Sequence, residues 1–141
     1  MKKTILKEKK TSQFNKGLLI YAISSIETDL RLCMKINQWL NISLSLDEDI
    51  HIPSGKVSHS FRRYSFEYDE GIEKYFFILN RSDGKYLFPE LKKVDYLLII
   101  YSEGDTNLLE SRIKDMKSEK EFTVLYPLSP DSLRSLDRIM I

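Results

Sequence analysis

Val94-Asp95-Tyr96-Leu97-Leu98-Ile99-Ile100-Tyr101 is the stretch that decides the fold class. Extended backbone sends alternate side chains to opposite faces, so Val94, Tyr96, Leu98 and Ile100 share one face and Leu97 and Ile99 the other. Both sets favour burial, which is the pattern of an interior strand rather than of a sheet edge. Such a strand needs partners on both sides, and the flanking sequence supplies them. Residues 17–24 (GLLIYAIS) are an apolar run too short for a helix and bounded by Ser24-Ser25, which suits a buried strand. Residues 42–46 alternate with period two, Pro53-Ser54-Gly55 interrupts, and residues 61–68 resume with strand composition. Turns at Glu70-Gly71 and Asp83-Gly84 bracket residues 72–79 and mark an antiparallel meander.

Two segments read as helices. Ser24 with Glu27 three residues on has the spacing of a capping box, and Ile26, Leu30, Cys33, Ile36 and Leu40 recur at helical spacing up to about Asn41. The second helix begins at Asp105, with Leu108, Leu109, Ile113 and Met116 as its stripe. Phe122, Val124 and Tyr126 then form one face of a last long strand before Pro127. Ser129-Pro130 starts a short helical turn, and Ile139-Met140-Ile141 is read as a final edge. The order β-α-β-β-β-β-α-β predicts an α+β fold, an antiparallel-rich single sheet with two main helices on one face.

A chain of 141 residues with 42% hydrophobic and 30% charged residues fits one globular domain, placed at residues 15–141. Residues 1–14 read as a flexible basic arm. The first sixteen residues hold six lysines against Glu8 alone, a net of +5, which leaves −4 for the rest given the overall +1. A body of that sign does not attract nucleic acid by bulk charge. Six apolar residues at positions 18–23 are short for a secretory core, and Leu30-Arg31-Leu32-Cys33 has a bulky residue where a lipoprotein signal needs a small one. No run approaches the roughly 18 apolar residues of a membrane span. With a single cysteine as well, the expectation is a cytoplasmic protein with no membrane partner.

Few residues suggest chemistry. Cys33 lies on the apolar stripe, where burial raises a thiol pKa, so a core thiol is the better reading than a nucleophile. His51 and His59 stand eight positions apart with no HExxH and no second cysteine. Asp47-Glu48-Asp49 lacks the spacing of a calcium loop and reads as a solvated turn. Ser82-Asp83-Gly84-Lys85 fits a hairpin better than a phosphate loop. No catalytic residue, metal site or cofactor is therefore expected. One RNA-type feature is visible: Phe61-Arg62-Arg63-Tyr64-Ser65-Phe66 interleaves basic and aromatic groups on a strand, with Arg62, Arg63, Tyr64 and Phe66 as the contacts. Tyr64, Phe66 and Tyr68 on one face of a sheet more often mean core, and the arm's lysines supply only weak, nonspecific phosphate contact.

The first helix carries an oddity. Asp29, Cys33 and Asn37 share one column inside the apolar arc, while Arg31 and Lys35 project to the wet side. Buried polar groups need partners. Asp29 or Asn37 is expected to hydrogen-bond across the core to residues 88–96; the simpler alternative has Asp29 at the helix N-terminus and Asn37 on a neighbouring loop.

Phe88-Pro89-Glu90-Leu91-Lys92-Lys93-Val94-Asp95-Tyr96 resembles the motif of the bacterial IPExxxVDY family, associated with the Bacteroidetes, with Phe in place of the first Ile. Residues 29–37 (DLRLCMKIN) are similar to that family's helix, which has an aromatic residue where Leu30 and Met34 stand, and the similarity extends from about Gly17. The resemblance implies no catalytic residue, substrate or cofactor, and a cytoplasmic housekeeping setting. Physically, Pro89 fixes a turn, Glu90 accepts orphan backbone N–H groups, and Asp95 and Tyr96 point to opposite faces. Asp29, Asn37, Pro89, Glu90, Asp95 and Tyr96 thus form a candidate cluster, either a clamp before the central strand or a recognition site. The function expected is a non-enzymatic binding or adaptor domain acting on a protein partner, with an RNA-associated accessory domain as the alternative.

Overall fold

A computed structural model of the chain describes residues 17–139, so the basic arm at residues 1–14 lies outside the described residues. In chain order the elements are β1 (Leu18–Ser24), α1 (Asp29–Leu40), β2 (Ser45–Leu46), β3 (Ile50–Ser54), β4 (Val57–Phe61), β5 (Arg63–Tyr68) and β6 (Glu73–Leu79). Then come β7 (Arg81–Ser82), β8 (Lys85–Tyr86), β9 (Tyr96–Ser102), α2 (Asn107–Met116) and β10 (Val124–Leu128), followed by two 3-10 turns at Pro130–Ser132 and Arg134–Arg138. One six-stranded sheet has the order β10-β1-β9-β6-β5-β2, and β3-β4 and β7-β8 stand apart as small hairpins. Every pairing is antiparallel, and the fold is α+β. The deciding stretch is interior: β9 is bonded to β1 on one side (Ile20 opposite Ile99) and to β6 on the other (Phe77 opposite Leu98).

Each sheet face is covered by different material. Both helices lie on one: Leu32, Cys33 and Ile36 of α1 and Ile113 and Met116 of α2 pack on Tyr21, Ile23, Phe77, Leu98 and Ile100. The opposite face, with Ile20, Ala22, Leu97 and Ile99, carries no α-helix among the described residues and is sealed by Ile50 and Phe61 of the β3-β4 hairpin, Leu87, Phe88 and Val94, and Leu133 and Leu136 from the C-terminal turns. Val94 precedes β9 and packs on this second face, not beside Tyr96 as strict alternation had placed it.

The structure corrects several boundaries. Helix α1 begins at Asp29, with Thr28 as its N-cap accepting the Arg31 N–H at 3.3 Å. Ser24 cannot cap it because it is the last residue of β1, opposite Val124. The first half of the expected stripe is consequently outside the core, with Ile26 97% and Leu30 58% exposed. At the other end Asn41 takes the left-handed conformation (φ 56°) and closes the helix where expected. Residues 53–55 do not interrupt a strand: they lead β3 into a two-residue turn onto β4, with Gly55 at φ 65°. Residues 61–68 are two strands, broken at Arg62, where the chain passes from the small hairpin to the main sheet. Of residues 42–46 only Ser45 and Leu46 pair, on β5. In the last strand Leu125, opposite Ile23, is the buried residue, and Val124 and Tyr126 face outward. Ile139 follows a 3-10 turn; Met140 and Ile141 lie outside the described residues, and β10 is the sheet edge. The Asp83-Gly84 hairpin is as expected, with both residues at positive φ (50° and 76°). Among the described residues no helix is long and apolar enough to cross a membrane.

Candidate functional site

Residues 87–95 make no repeating backbone hydrogen bonds, yet Leu87, Phe88 and Val94 are fully or almost fully buried. Buried irregular backbone must find partners elsewhere, and here Asn80, which is itself 0% exposed, supplies five of them. Its side-chain nitrogen donates to the Leu91 and Val94 carbonyls, both at 2.9 Å, and its oxygen accepts from the Phe88 N–H at 2.8 Å. Its own backbone N–H and C=O bond Asp95 and Leu87. Asn80 stands just before Arg81-Ser82-Asp83-Gly84 and looks like one more turn residue, so sequence reasoning missed it. The available signal was the demand side, a stretch too apolar to be a solvent loop and too irregular to satisfy itself.

Around this centre the motif residues reach outward to other segments. Glu90 receives the Ser135 N–H at 2.8 Å and the Ser135 hydroxyl at 2.7 Å, tying down the C-terminal turn. Burial alone would raise the Glu90 carboxyl, but these bonds and the Arg134 charge outweigh it and hold the group below 4.5. Pro89 is exposed at the turn. Asp95 accepts the Ser25 N–H at 3.1 Å through one oxygen and meets the Arg81 guanidinium at 2.8 Å with the other. Tyr96 stacks on Phe77 with ring centres 5.2 Å apart and donates its hydroxyl to the Glu27 carbonyl at 2.8 Å. The Ser24 hydroxyl donates to the Lys93 carbonyl at 2.6 Å. The segment preceding β9 is thus joined to the connection between β1 and α1.

The helix polar pair is disposed differently from the expectation. Neither Asp29 nor Asn37 bonds residues 88–96. Asn37 closes a local ring, accepting the Leu44 N–H at 2.8 Å and donating to the Leu44 carbonyl at 3.1 Å, because the left-handed turn at Asn41 folds the chain back alongside it. Asp29 turns toward β5, accepting from the Tyr64 hydroxyl at 2.8 Å and from Arg62 at 3.0 Å. Burial pushes the Asp29 carboxyl up, yet these two donors hold it below 3.8. In return burial, with the bond to Asp29, pushes Tyr64 up to about 12.

The residues of the RNA-type reading are thereby accounted for. The Tyr64 ring is buried against Phe77, Phe66 is half-buried beside Tyr75, and Tyr68 alone of that face is exposed. Arg63 is held by the Glu48 carbonyl at 3.0 Å and lies 3.7 Å from Asp47. A stacking platform needs open ring faces, and the core uses them here. Cys33 is a core thiol that burial pushes up to about 11. The His51 ring is 2.8 Å from the Ser60 hydroxyl across the β3-β4 hairpin.

Where the joint meets the surface it leaves a cleft of about 570 Å³, lined by Ser25, Ile26, Glu27, Leu79, Arg81, Asp95 and Tyr96 among others. Ile26 projects at its lip almost fully into solvent, and the exposed side chains of Leu30 and Met34 follow it along α1. Comparison of the chain with protein-family models and with curated proteins gives no significant match in either.

Proposed function

We propose that the chain is a non-enzymatic cytoplasmic binding domain of the IPExxxVDY type, which docks a protein partner on the cleft beside Asp95 and Tyr96 and on the apolar surface continuing along α1. The observation that carries this is Ile26: an isoleucine 97% exposed that lines a cleft, followed at a spacing of four by Leu30 at 58% and Met34 at 55% exposed. Single exposed apolar residues are ordinary, whereas three at a spacing of four, the first of them lining a cleft, are what an interaction surface would use. Three such side chains beside a preformed concavity resemble the anchored centre of an interface. The resemblance of residues 88–96 to the family motif supports the reading, since Asp95 and Tyr96 border this cleft.

The test is affinity capture from native lysate by the full chain and by its Ile26→Ser/Leu30→Ser variant, each with and without ribonuclease. Recovery of a defined protein, insensitive to nuclease and lost with the variant at unchanged melting temperature, is the expected result. Nuclease-sensitive recovery of RNA-bound proteins, or recovery that the variant does not alter, overturns it.

A further inference from the structure

The cleft and helix surface are framed by three arginine–carboxylate pairs with one feature in common. In each, the carboxylate is the inner member and the guanidinium the outer. Side-chain exposure is 53% for Arg62 against 15% for Asp29, 57% for Arg81 against 22% for Asp95, and 74% for Arg31 against 29% for Glu27. The pairs are linked through the cleft lining and the start of α1. Glu27, Arg81 and Asp95 line the cleft, Arg31 lies 3.8 Å from Glu27, and the Arg62 guanidinium bonds Asp29, the first residue of α1 and the neighbour of Leu30. The Lys93 carbonyl holds Ser24 at the same rim, and its side chain is exposed.

Charge counted by residue is nearly balanced here, but charge presented outward is not. A guanidinium has five N–H donors in a planar fork. Arg62 and Arg81 each spend one short bond on the inner carboxylate, at 3.0 and 2.8 Å, and turn the remaining edge to solvent. The inner carboxylates fix each arginine in place, which lowers the entropy lost when that edge is used a second time. An incoming group therefore meets oriented cationic donors at the cleft that Ile26 lines and at the start of α1.

We infer that the partner is an acidic protein segment with apolar anchors, its carboxylates engaging Arg31, Arg62 and Arg81 while aliphatic or aromatic side chains cover Ile26, Leu30 and Met34; this rests on the docking reading above. The chain's own first sixteen residues, with six lysines against Glu8 alone, offer almost no carboxylate to engage these arginines. A second copy would present the same balanced arginines and inner carboxylates, with no acidic excess to meet the exposed guanidinium edges. A nucleic acid matches the cations but not the aliphatic centre.

The test is selection of a random 16-residue peptide display library on the immobilised full chain, with Leu30→Ser and Arg31→Gln variants whose folding is verified by thermal melting. The expected result is enriched peptides rich in Asp and Glu around two or three apolar positions. Their binding falls at least tenfold with Leu30→Ser, is several-fold weaker with Arg31→Gln, and weakens steeply between 50 and 500 mM salt. Enriched peptides that need Leu30 but are neutral or basic overturn this inference and leave the docking reading standing. A selection with no Leu30-dependent peptide overturns both. Leu30-dependent dimerisation in sedimentation, or Arg31-dependent binding of a uridylate 20-mer with an empty peptide selection, would assign the surface to a second copy or to RNA and likewise overturn it.

Discussion

Replacing Asn80 with Ala removes the side chain that makes three hydrogen bonds to the backbone of residues 88–94. The Phe88 N–H and the Val94 carbonyl lose their partner inside the core, while the Leu91 carbonyl keeps the Val94 N–H at 3.1 Å. An unsatisfied buried group costs roughly 1–3 kcal/mol, so two of them cost about 2–6 kcal/mol. That is a large fraction of the 5–15 kcal/mol typical of a domain. At roughly 3–5 °C per kcal/mol for a chain of this size, the melting temperature should fall by about 6–30 °C. Urea denaturation followed by tryptophan fluorescence measures the loss directly, and native-state hydrogen exchange should localise it to the Phe88 amide. Asn80→Asp is the sharper control. It keeps an acceptor for Phe88 but faces two carbonyls with a carboxylate, so its folded pKa is raised. Its extra penalty is small near the ordinary aspartate value of about 3.9 and grows as pH rises above it. A loss under about 1 kcal/mol for Asn80→Ala with an unchanged denaturant slope would refute the role assigned to this residue.

Asn37→Ala should cost about 1–3 kcal/mol in urea denaturation by orphaning the Leu44 N–H and leaving its carbonyl only the weak Cys33 thiol donor, and should leave partner capture by the folded fraction intact. The depressed carboxyls of Asp29, Asp47 and Glu90 contribute stability that is fully present above their ordinary pKa values and lost as pH falls through the lower folded ones. Acid unfolding below about pH 4.5 should therefore be shallower in Glu90→Gln, as read by circular dichroism. Cys33, pushed up to about 11 by burial, should resist iodoacetamide at pH 8 in the native protein and react at once in denaturant; rapid native labelling would contradict its core position.

The legible parts of this fold are those in which one segment carries its own evidence. Residues 97–100 are apolar on both faces whatever pairs with them, so an interior strand followed from the residues alone. Asp83-Gly84 names its turn for the same reason. Readings that failed depended on neighbours distant in sequence. Ser24 and Glu27 have a capping-box spacing, but the pairing of Ser24 with Val124 keeps Ser24 in β1 and delays the helix to Asp29. The face of β10 was inverted because Phe122, read as in phase with Val124 and Tyr126, precedes the strand and packs on the helix side. Within the candidate cluster, Glu90 accepts a backbone N–H as its chemistry suggested, while the targets of Asp29 and Asn37 were set by the register of β5 and the turn at Asn41.

The link between the clamp and the exposed apolar surface lies in the four residues 25–28. A free connection of that length would turn Ile26 toward apolar cover, because an aliphatic side chain left in water forgoes roughly 1.5–3 kcal/mol. Here the connection is pinned at Ser24 by Lys93, at Ser25 by Asp95 and at Glu27 by the Tyr96 hydroxyl. Those bonds fix the backbone on both sides of Ile26 and hold the side chain outward. Asp95 and Tyr96 therefore serve the fold and the surface through the same contacts: they anchor the start of β9, and they pre-order the residue a partner meets first. Pre-ordering removes part of the entropy that association would otherwise cost. Tyr96→Phe, which spares the Phe77 stacking and deletes only the bond to Glu27, should accordingly weaken partner binding more than its small loss of stability explains.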